Sequence, residues 1–538
     1  MDSPSNEDGL ARLLTAKLTR RQLLAGGAAA GALLATGPLI AGCGGGTATS
    51  SPSSSAASTP HRGGNARLGL VGGSASDTPD PQALLTATSE PLAFTMFDSL
   101  CDYDNTYKVV NLVLAEEVTS NADATEWTVR VRPDVLWHDG KPLTADDVVY
   151  SYRRIVNPKA PGIGVGDLLG LKSANIVKID ARTVKFRYDS PNVLFGAESL
   201  ASRSCRVVPV DFDPKKPIGT GPFKLTSFTP GNQFVLSAFK DYFGGAPYLD
   251  QITMIEFADP TARFNALQGG TIDAMCNLNG SQVPVVKSAA GLGTLVARTG
   301  AWVLMGMRMD LKPFNDARVR QAFRLIADRP QIIQNAYAGM AWIGNDMYSP
   351  FDPGYPKQLP QRQQDLEQAR SLLKQAGYDN DLTVQLQTSD AIGAGAVAQA
   401  TAFAEQAKGA GVNVKVSTVT SGVLWGDMYL KWPFAMDYYN TRNYLMTAVL
   451  TAGTYNALHA KDAKWDALIR EASGTMDDAK RNELVTEAET IEYNTGGYLI
   501  AVYKNQADAY STKLHGLVED ASGIPLGRYR FKDAYLTS

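Results

Sequence analysis

Histidine and cysteine are scarce in this chain, with four of each among 538 residues. So few histidines leave little material for a histidine-rich metal centre. None of the cysteines stands in a CxxC or Cys/His spacing of the kind that holds zinc. Excess charge is also lacking: 51 basic residues face 54 acidic ones, a formal net charge of −3. The electrostatic footprint of a nucleic-acid binder, or of a protein drawn to anionic lipid, is therefore missing. No GxSxG elbow, HExxH or Ser-x-x-Lys stands in a context suited to catalysis, which makes a secreted hydrolase the weaker reading. Internal repeats, coiled-coil heptads and a second long apolar segment are absent too. What is there is length: 538 residues can bury a large core and divide into more than one lobe.

The N-terminus carries an address. Thr19-Arg20-Arg21-Gln22-Leu23-Leu24 resembles a twin-arginine export motif, placed directly before an Ala/Gly-rich apolar run to Ile40. Several glycines and Pro38 interrupt that run, and a membrane span needs about 20 predominantly apolar residues. Ile40-Ala41-Gly42-Cys43 resembles a lipoprotein cleavage box, with Cys43 the lipidated residue. Residues 1–43 thus read as a lipoprotein signal peptide, and 44–64, rich in Gly, Ser, Thr, Ala and Pro, as a flexible tether. The expected location is the outer face of the cell membrane, held there by lipid. Cys101, Cys205 and Cys276 remain in the body. An odd number leaves at least one unpaired, and either one disulfide or three buried thiols fits.

The body is organised around Trp137–Tyr152. Before it, Trp127, Val129 and Val131 alternate with Thr128, Arg130 and Arg132, the period of a strand with one buried face. Asp139-Gly140 signals a turn. Thr144 fits a helix N-cap, with Asp146 and Asp147 in the first turn. His138-Asp139 lies inside this turn and reads as turn chemistry, not as an acid–base pair. Further on, Pro217-Ile218-Gly219-Thr220-Gly221-Pro222-Phe223 predicts a tight turn ahead of a strand. No GK[ST] follows, so it does not read as a phosphate loop. Asn315 or Asp316 would cap a helix whose apolar stripe is Val319, Ala322, Phe323 and Ile326. The helix 365–377 ends on a C-cap glycine. Strands and helices alternate through the second half, which implies α/β units.

These words, with Leu112–Glu117, Phe97–Leu100, Arg206–Pro209, Tyr242–Asp250, Leu267–Ala274 and Pro313–Ala322, resemble the periplasmic solute-binding proteins of the dipeptide/oligopeptide/nickel ABC importers, family 5. The resemblance runs through essentially the whole body in order. It implies an α/β, periplasmic-binding-protein-like type II fold: two lobes with a hinge plus an extra N-terminal subdomain. Lobe I would comprise 65–100, 206–298 and 499–538, the inserted subdomain 101–205, and lobe II 299–498. It implies capture of a small peptide between closing lobes, delivery to permease subunits driven by a cytoplasmic ATPase, no cofactor, no nucleic acid, no chemical step and a monomer. Non-peptide solutes remain the alternative: an oligosaccharide, a metallophore or nickel, or an amine-bearing metabolite.

Peptide-binding members hold the α-ammonium group with an aspartate in a "gW..DY..P" stretch. The matching residues are Phe434 and Asp437, with Tyr438 and Tyr439 following; the Gly-Trp has become Pro-Phe and the later proline is absent. Arg308 stands where the family usually has asparagine, and either forks onto a substrate carboxylate or pairs with Asp310. Trp425 completes the expected ligand-binding set as an aromatic neighbour.

Overall fold

The computed structural model describes residues 60–538, apart from 73–76, 84–88, 109, 161, 454 and 538. The expected signal peptide, the expected lipobox with Cys43 and most of the expected tether therefore lie outside the described residues. Among those described, no helix is long and apolar enough to cross a membrane.

Two long strands, Leu292–Met307 and Tyr498–Ser511, pair antiparallel in the middle of an 11-stranded sheet. Their register runs from Leu292↔Ser511 to Gly306↔Tyr498, with a break between Arg298 and Trp302. The two ends of this ribbon belong to different layers of structure. At the Leu292 end, Tyr498–Ser511 pairs with Ala274–Met275, followed by Asn65–Val71, Gln251–Phe257, Gln233–Ala238 and Phe223–Thr229. At the Met307 end, Leu292–Met307 pairs with Phe434–Tyr439, followed by Leu382–Thr388 and Val412–Thr418. These last two strands run parallel and are joined by the helix Ala396–Lys408, a right setting for continuous apolar burial of Val384, Leu386, Phe403 and Val412. The result is two α/β lobes of the periplasmic-binding-protein type II fold, joined through one shared ribbon.

The ribbon's break is tied down by side chains. Thr299 Oγ1 donates to the Lys504 carbonyl at 2.6 Å, and Trp342 Nε1 donates to the Thr299 carbonyl at 2.9 Å. Thr441 Oγ1 accepts from the Gly300 amide at 2.9 Å and donates to the Ala521 carbonyl at 2.5 Å.

The extra subdomain is a four-stranded antiparallel sheet of Ala115–Ser120, Glu126–Val131, Thr183–Arg187 and Ile176–Lys178, covered by the helix Ala145–Ile155. Trp127, Val129 and Val131 are buried, as the alternation predicts. The helix begins at Thr144, and the Asp147 carboxylate accepts from both the amide (2.8 Å) and the hydroxyl (3.0 Å) of Thr144. Such a cap stabilises by about 1 kcal/mol. This core continues into lobe II, through Trp302, Tyr348 and Tyr444.

The two most readable motifs meet each other. His138 Nδ1 accepts from the Gly219 amide at 3.2 Å, and its Nε2 donates to the Gly221 carbonyl at 2.9 Å. The His138 amide also donates to the Gly219 carbonyl (2.9 Å). A ring that accepts at one nitrogen and donates at the other is neutral, and burial pulls its pKa down to about 4. The expected tight-turn role of the glycines needs correction. Neither Gly219 nor Gly221 has positive φ. They are small because the helix Ser89–Met96 ends against them: a Cβ on Gly219 would stand 1.8 Å from the Met96 carbonyl oxygen, and one on Gly221 2.6 Å from the Met96 carbonyl carbon.

Asp316, not Asn315, caps the helix Ala317–Ile326, accepting from the Arg318 amide at 2.8 Å. Cys101, Cys205 and Cys276 are all buried free thiols.

Candidate functional site

The strand Phe434–Tyr439 runs along the Met307 end of the ribbon, in register Met307↔Phe434, Leu304↔Asp437 and Trp302↔Tyr439. Side chains alternate across a strand. Phe434 and Met436 therefore turn into the lobe II core, and Phe434 packs on Phe314 and Phe323 with ring centroids 5.0 and 5.6 Å away. Tyr439 turns to the other face and stacks on Trp302 at 4.7 Å, and Trp302 stacks on Tyr348 at 5.0 Å. Phe434 and Asp437, three residues apart, cannot share a face. Phe434, 1 % exposed, is thus a core residue and not a wall of the site.

Of the two expected roles of Arg308, the structure shows the pair with Asp310. Its guanidinium forks onto Asp310 (2.9 and 2.5 Å) and donates to the Lys431 carbonyl at 2.9 Å. It sits at the Phe434 end of the strand pair, four residues beyond Leu304. At about 3.4 Å per residue that is roughly 13 Å along the strand from the partner of Asp437.

Asp437, Trp425, Tyr438 and Tyr439 do come together. Asp437 Oδ1 accepts from Trp425 Nε1 (3.1 Å) and the Tyr438 amide (2.9 Å), and Oδ2 accepts from the Tyr429 hydroxyl at 3.4 Å. The Trp425 ring meets that of Tyr438 at 6.0 Å, edge to face. All three donors are neutral, and no cationic side chain pairs with Asp437 among the described residues. Burial is the largest influence on the carboxyl and pushes its pKa up to about 6, the three hydrogen bonds opposing it.

Beside this cluster lies a cavity of about 290 Å³ between the lobes. Tyr429, Tyr438, Tyr439 and Arg442 line it from lobe II; Phe94, Glu198 and Arg203 face them. Asp437 itself is one residue behind the lining. The far wall is acidic but neutralised. Glu198 accepts from the Tyr103 hydroxyl, and burial pushes its pKa up to about 8. Asp167 pairs with Arg442 at 2.8 Å, linking the inserted subdomain to lobe II. Tyr429, Glu198, Arg442 and Asp167 escaped the sequence reading. They come from four separate segments and none stands in a recognisable word, so only folding assembles them.

The description "Bacterial extracellular solute-binding proteins, family 5 Middle" matches residues 109–475. The dipeptide-binding protein of Escherichia coli (strain K12) is 26% identical over 470 residues, which cover 78% of this chain and 85% of that protein. Among solved structures, DppA from Helicobacter pylori in complex with the peptide STSA superposes with a TM-score of 0.78 at 21% identity, covering 89% of this chain and 99% of that one. NikZ from Campylobacter jejuni, in complex with Ni(L-His), gives 0.75 at 19% identity over 88% and 99%. Likenesses this remote in sequence carry the fold and not the ligand. With two lobes on a shared ribbon, a cavity between them and a match over more than half its length, the chain belongs to the family 5 bacterial extracellular solute-binding proteins of ABC importers.

Proposed function

We propose that this protein is the lipid-anchored receptor of an ABC importer and captures short peptides between its lobes, with Asp437 holding the α-ammonium group. One observation carries the reading. A half-buried carboxylate is given three neutral hydrogen-bond donors and, among the described residues, no cation, so its charge is stabilised in direction but not balanced. An ammonium group supplies the missing charge and a charge-assisted hydrogen bond. Trp425 and Tyr429 orient the carboxylate, and Tyr438 and Tyr439 offer flat apolar walls beside it.

The expected division into lobe I (65–100, 206–298, 499–538), inserted subdomain (101–205) and lobe II (299–498) is adjusted at one crossing: Leu499, Ala501 and Val502 pack in the lobe II core, and the hinge in this reading lies at the break in the ribbon, around Thr299–Ala301 and Lys504. A solute that touches both lobes only when they are closed shifts the population toward closure by its differential affinity. The permease and its ATPase would then recognise the closed monomer, tethered through residues 44–64 to lipid on Cys43. Nothing in this cycle requires a chemical step.

Native mass spectrometry of the mature body, residues 44–538, with release and identification of what co-purifies, tests the reading. A ladder of short peptides that disappears in Asp437→Ala supports it. A single non-peptide mass that survives Asp437→Ala overturns both the solute class and the role of Asp437.

A further inference from the structure

The charged residues that line the cavity between the lobes are matched with one exception. Arg203 pairs with Glu90, Arg442 with Asp167 at 2.8 Å, and Arg528 with Asp102 and Asp520 at 2.9 and 3.0 Å. Glu198 is the exception. Among the described residues no cationic side chain pairs with it, and its carboxylate accepts one hydrogen bond, from the Tyr103 hydroxyl. The aromatic surface beside it is already used. Tyr103 stacks on Tyr107 with centroids 4.0 Å apart, and the Arg528 guanidinium lies over the Tyr107 ring at 5.5 Å.

The surroundings of Glu198 hold more negative charge than positive. Burial is the largest influence and pushes its carboxyl up to about 8; Asp352 and Asp167 act in the same direction, and the Tyr103 hydrogen bond and Arg442 oppose them. An anion taken out of water without a counter-charge is unfavourable, so an incoming cation has a carboxyl group ready to ionise against it. Glu198 follows the short helix Leu194–Ala197 of the inserted subdomain, whereas Asp437 belongs to the strand Phe434–Tyr439 of lobe II. The two carboxylates left without a cation thus belong to opposite walls of the cavity. An α-ammonium group on Asp437 is a single cation, and Glu198 calls for a second one on the same solute.

We propose that Glu198 is a specificity-determining residue that receives a basic side chain of the solute, a lysine ammonium or an arginine guanidinium, which makes the preferred ligand a short cationic peptide. The inference rests on the peptide-receptor reading, in which Asp437 takes the α-ammonium group, and narrows it. A charge-assisted hydrogen bond to Glu198 is stronger than one between neutral groups, so the basic side chain gains what a neutral one of equal length does not.

The test offers the full chain two tripeptide libraries in competition and reads capture by native mass spectrometry. In the first, every peptide carries one lysine or one arginine. The second holds the same sequences with norleucine for lysine and citrulline for arginine, which removes the charge and nearly keeps the length. Wild type is expected to capture basic peptides at least tenfold over neutral ones. Glu198→Gln, which keeps an oxygen for the Tyr103 hydroxyl, should bring that ratio near one without loss of the neutral library, and Glu198→Ala should do the same. Equal capture of both libraries by wild type overturns the inference and leaves the peptide reading standing. A basic preference that persists in either variant overturns it too, because the cation is then held elsewhere. So does loss of both libraries in a variant whose thermal midpoint is unchanged, since Glu198 would then serve the α-ammonium group. Failure of both variants to fold makes Glu198 structural and overturns the inference as well. Capture of neither library by wild type overturns the peptide reading, and the inference with it.

Discussion

The inserted subdomain and the strand Phe434–Tyr439 of lobe II make opposite uses of their residues. Away from the cavity wall, the subdomain spends its conspicuous side chains on packing: His138 clamps the Gly219–Gly221 loop, Asp147 caps a helix, and Trp127 fills the core. Its histidine is neutral and doubly hydrogen-bonded. In lobe II, Asp437 is half-buried with neutral donors only and, among the described residues, no balancing charge. A region that completes its own interactions is a scaffold; one that leaves a charge unbalanced is prepared for something else.

The comparison can be broken at several points. The largest effect is expected from Gly219→Ala, whose Cβ meets the Met96 carbonyl. Backbone cannot yield cheaply, so a loss of about 4 kcal/mol or more in chemical denaturation is expected, with solute affinity unchanged in whatever fraction folds. Next, Phe434→Ala should lower stability by about 3–5 kcal/mol through an unfilled core, again without selective loss of peptide binding. If Phe434→Trp instead changes solute preference at constant stability, the placement of Phe434 in the core is wrong.

Asp437→Asn should weaken binding of a free-amine peptide by roughly 10- to 100-fold, the size of a charge-assisted hydrogen bond, measured by titration calorimetry. Acid should mimic it. Since the carboxyl titrates near pH 6, wild-type affinity falls about tenfold per unit below that pH, and Asp437→Asn flattens the profile.

The smallest effect is the most discriminating. Asp437 is raised in the folded state, so the folded protein binds the extra proton and stability of the ligand-free protein falls as pH rises from about 4 to 6. His138 is lowered to about 4, so the unfolded chain binds the extra proton and stability rises over the same interval. Asp437→Asn and His138→Gln should therefore change the slope of stability against pH in opposite directions. Slopes that move the same way would remove the contrast between the two regions.

Legibility in the sequence followed packing. The subdomain's alternation, turn and cap were all readable because each is a local rule, with Gly140 at φ 85° in the turn as expected. Family membership and the two-lobed fold came from the same words. The long ribbon was readable only at its lobe II ends, Val303–Met307 and Tyr498–Tyr503. Its other halves carry Arg298, Thr299, Lys504, Asn505 and Gln506, polar residues that interrupt any apolar period where the strands cross between lobes. Asp437 was found through a resemblance, but the same resemblance drew in Phe434, which strand alternation sends to the opposite face. For Arg308 the local alternative is the one the fold shows, because Asp310 stands only two residues on.

The ribbon also has a consequence for how the protein is made. Tyr498–Ser511, which follows every other strand of this sheet in the chain, lies at the middle of the sheet between Leu292–Met307 and Ala274–Met275. Until it emerges, the 16-residue strand Leu292–Met307 has an open edge, a template for pairing with other chains. Neither lobe can be finished during synthesis, and a product truncated before Tyr498 lacks the centre of its sheet. A chain that stops before Tyr498 thus leaves both lobes without the strand they share.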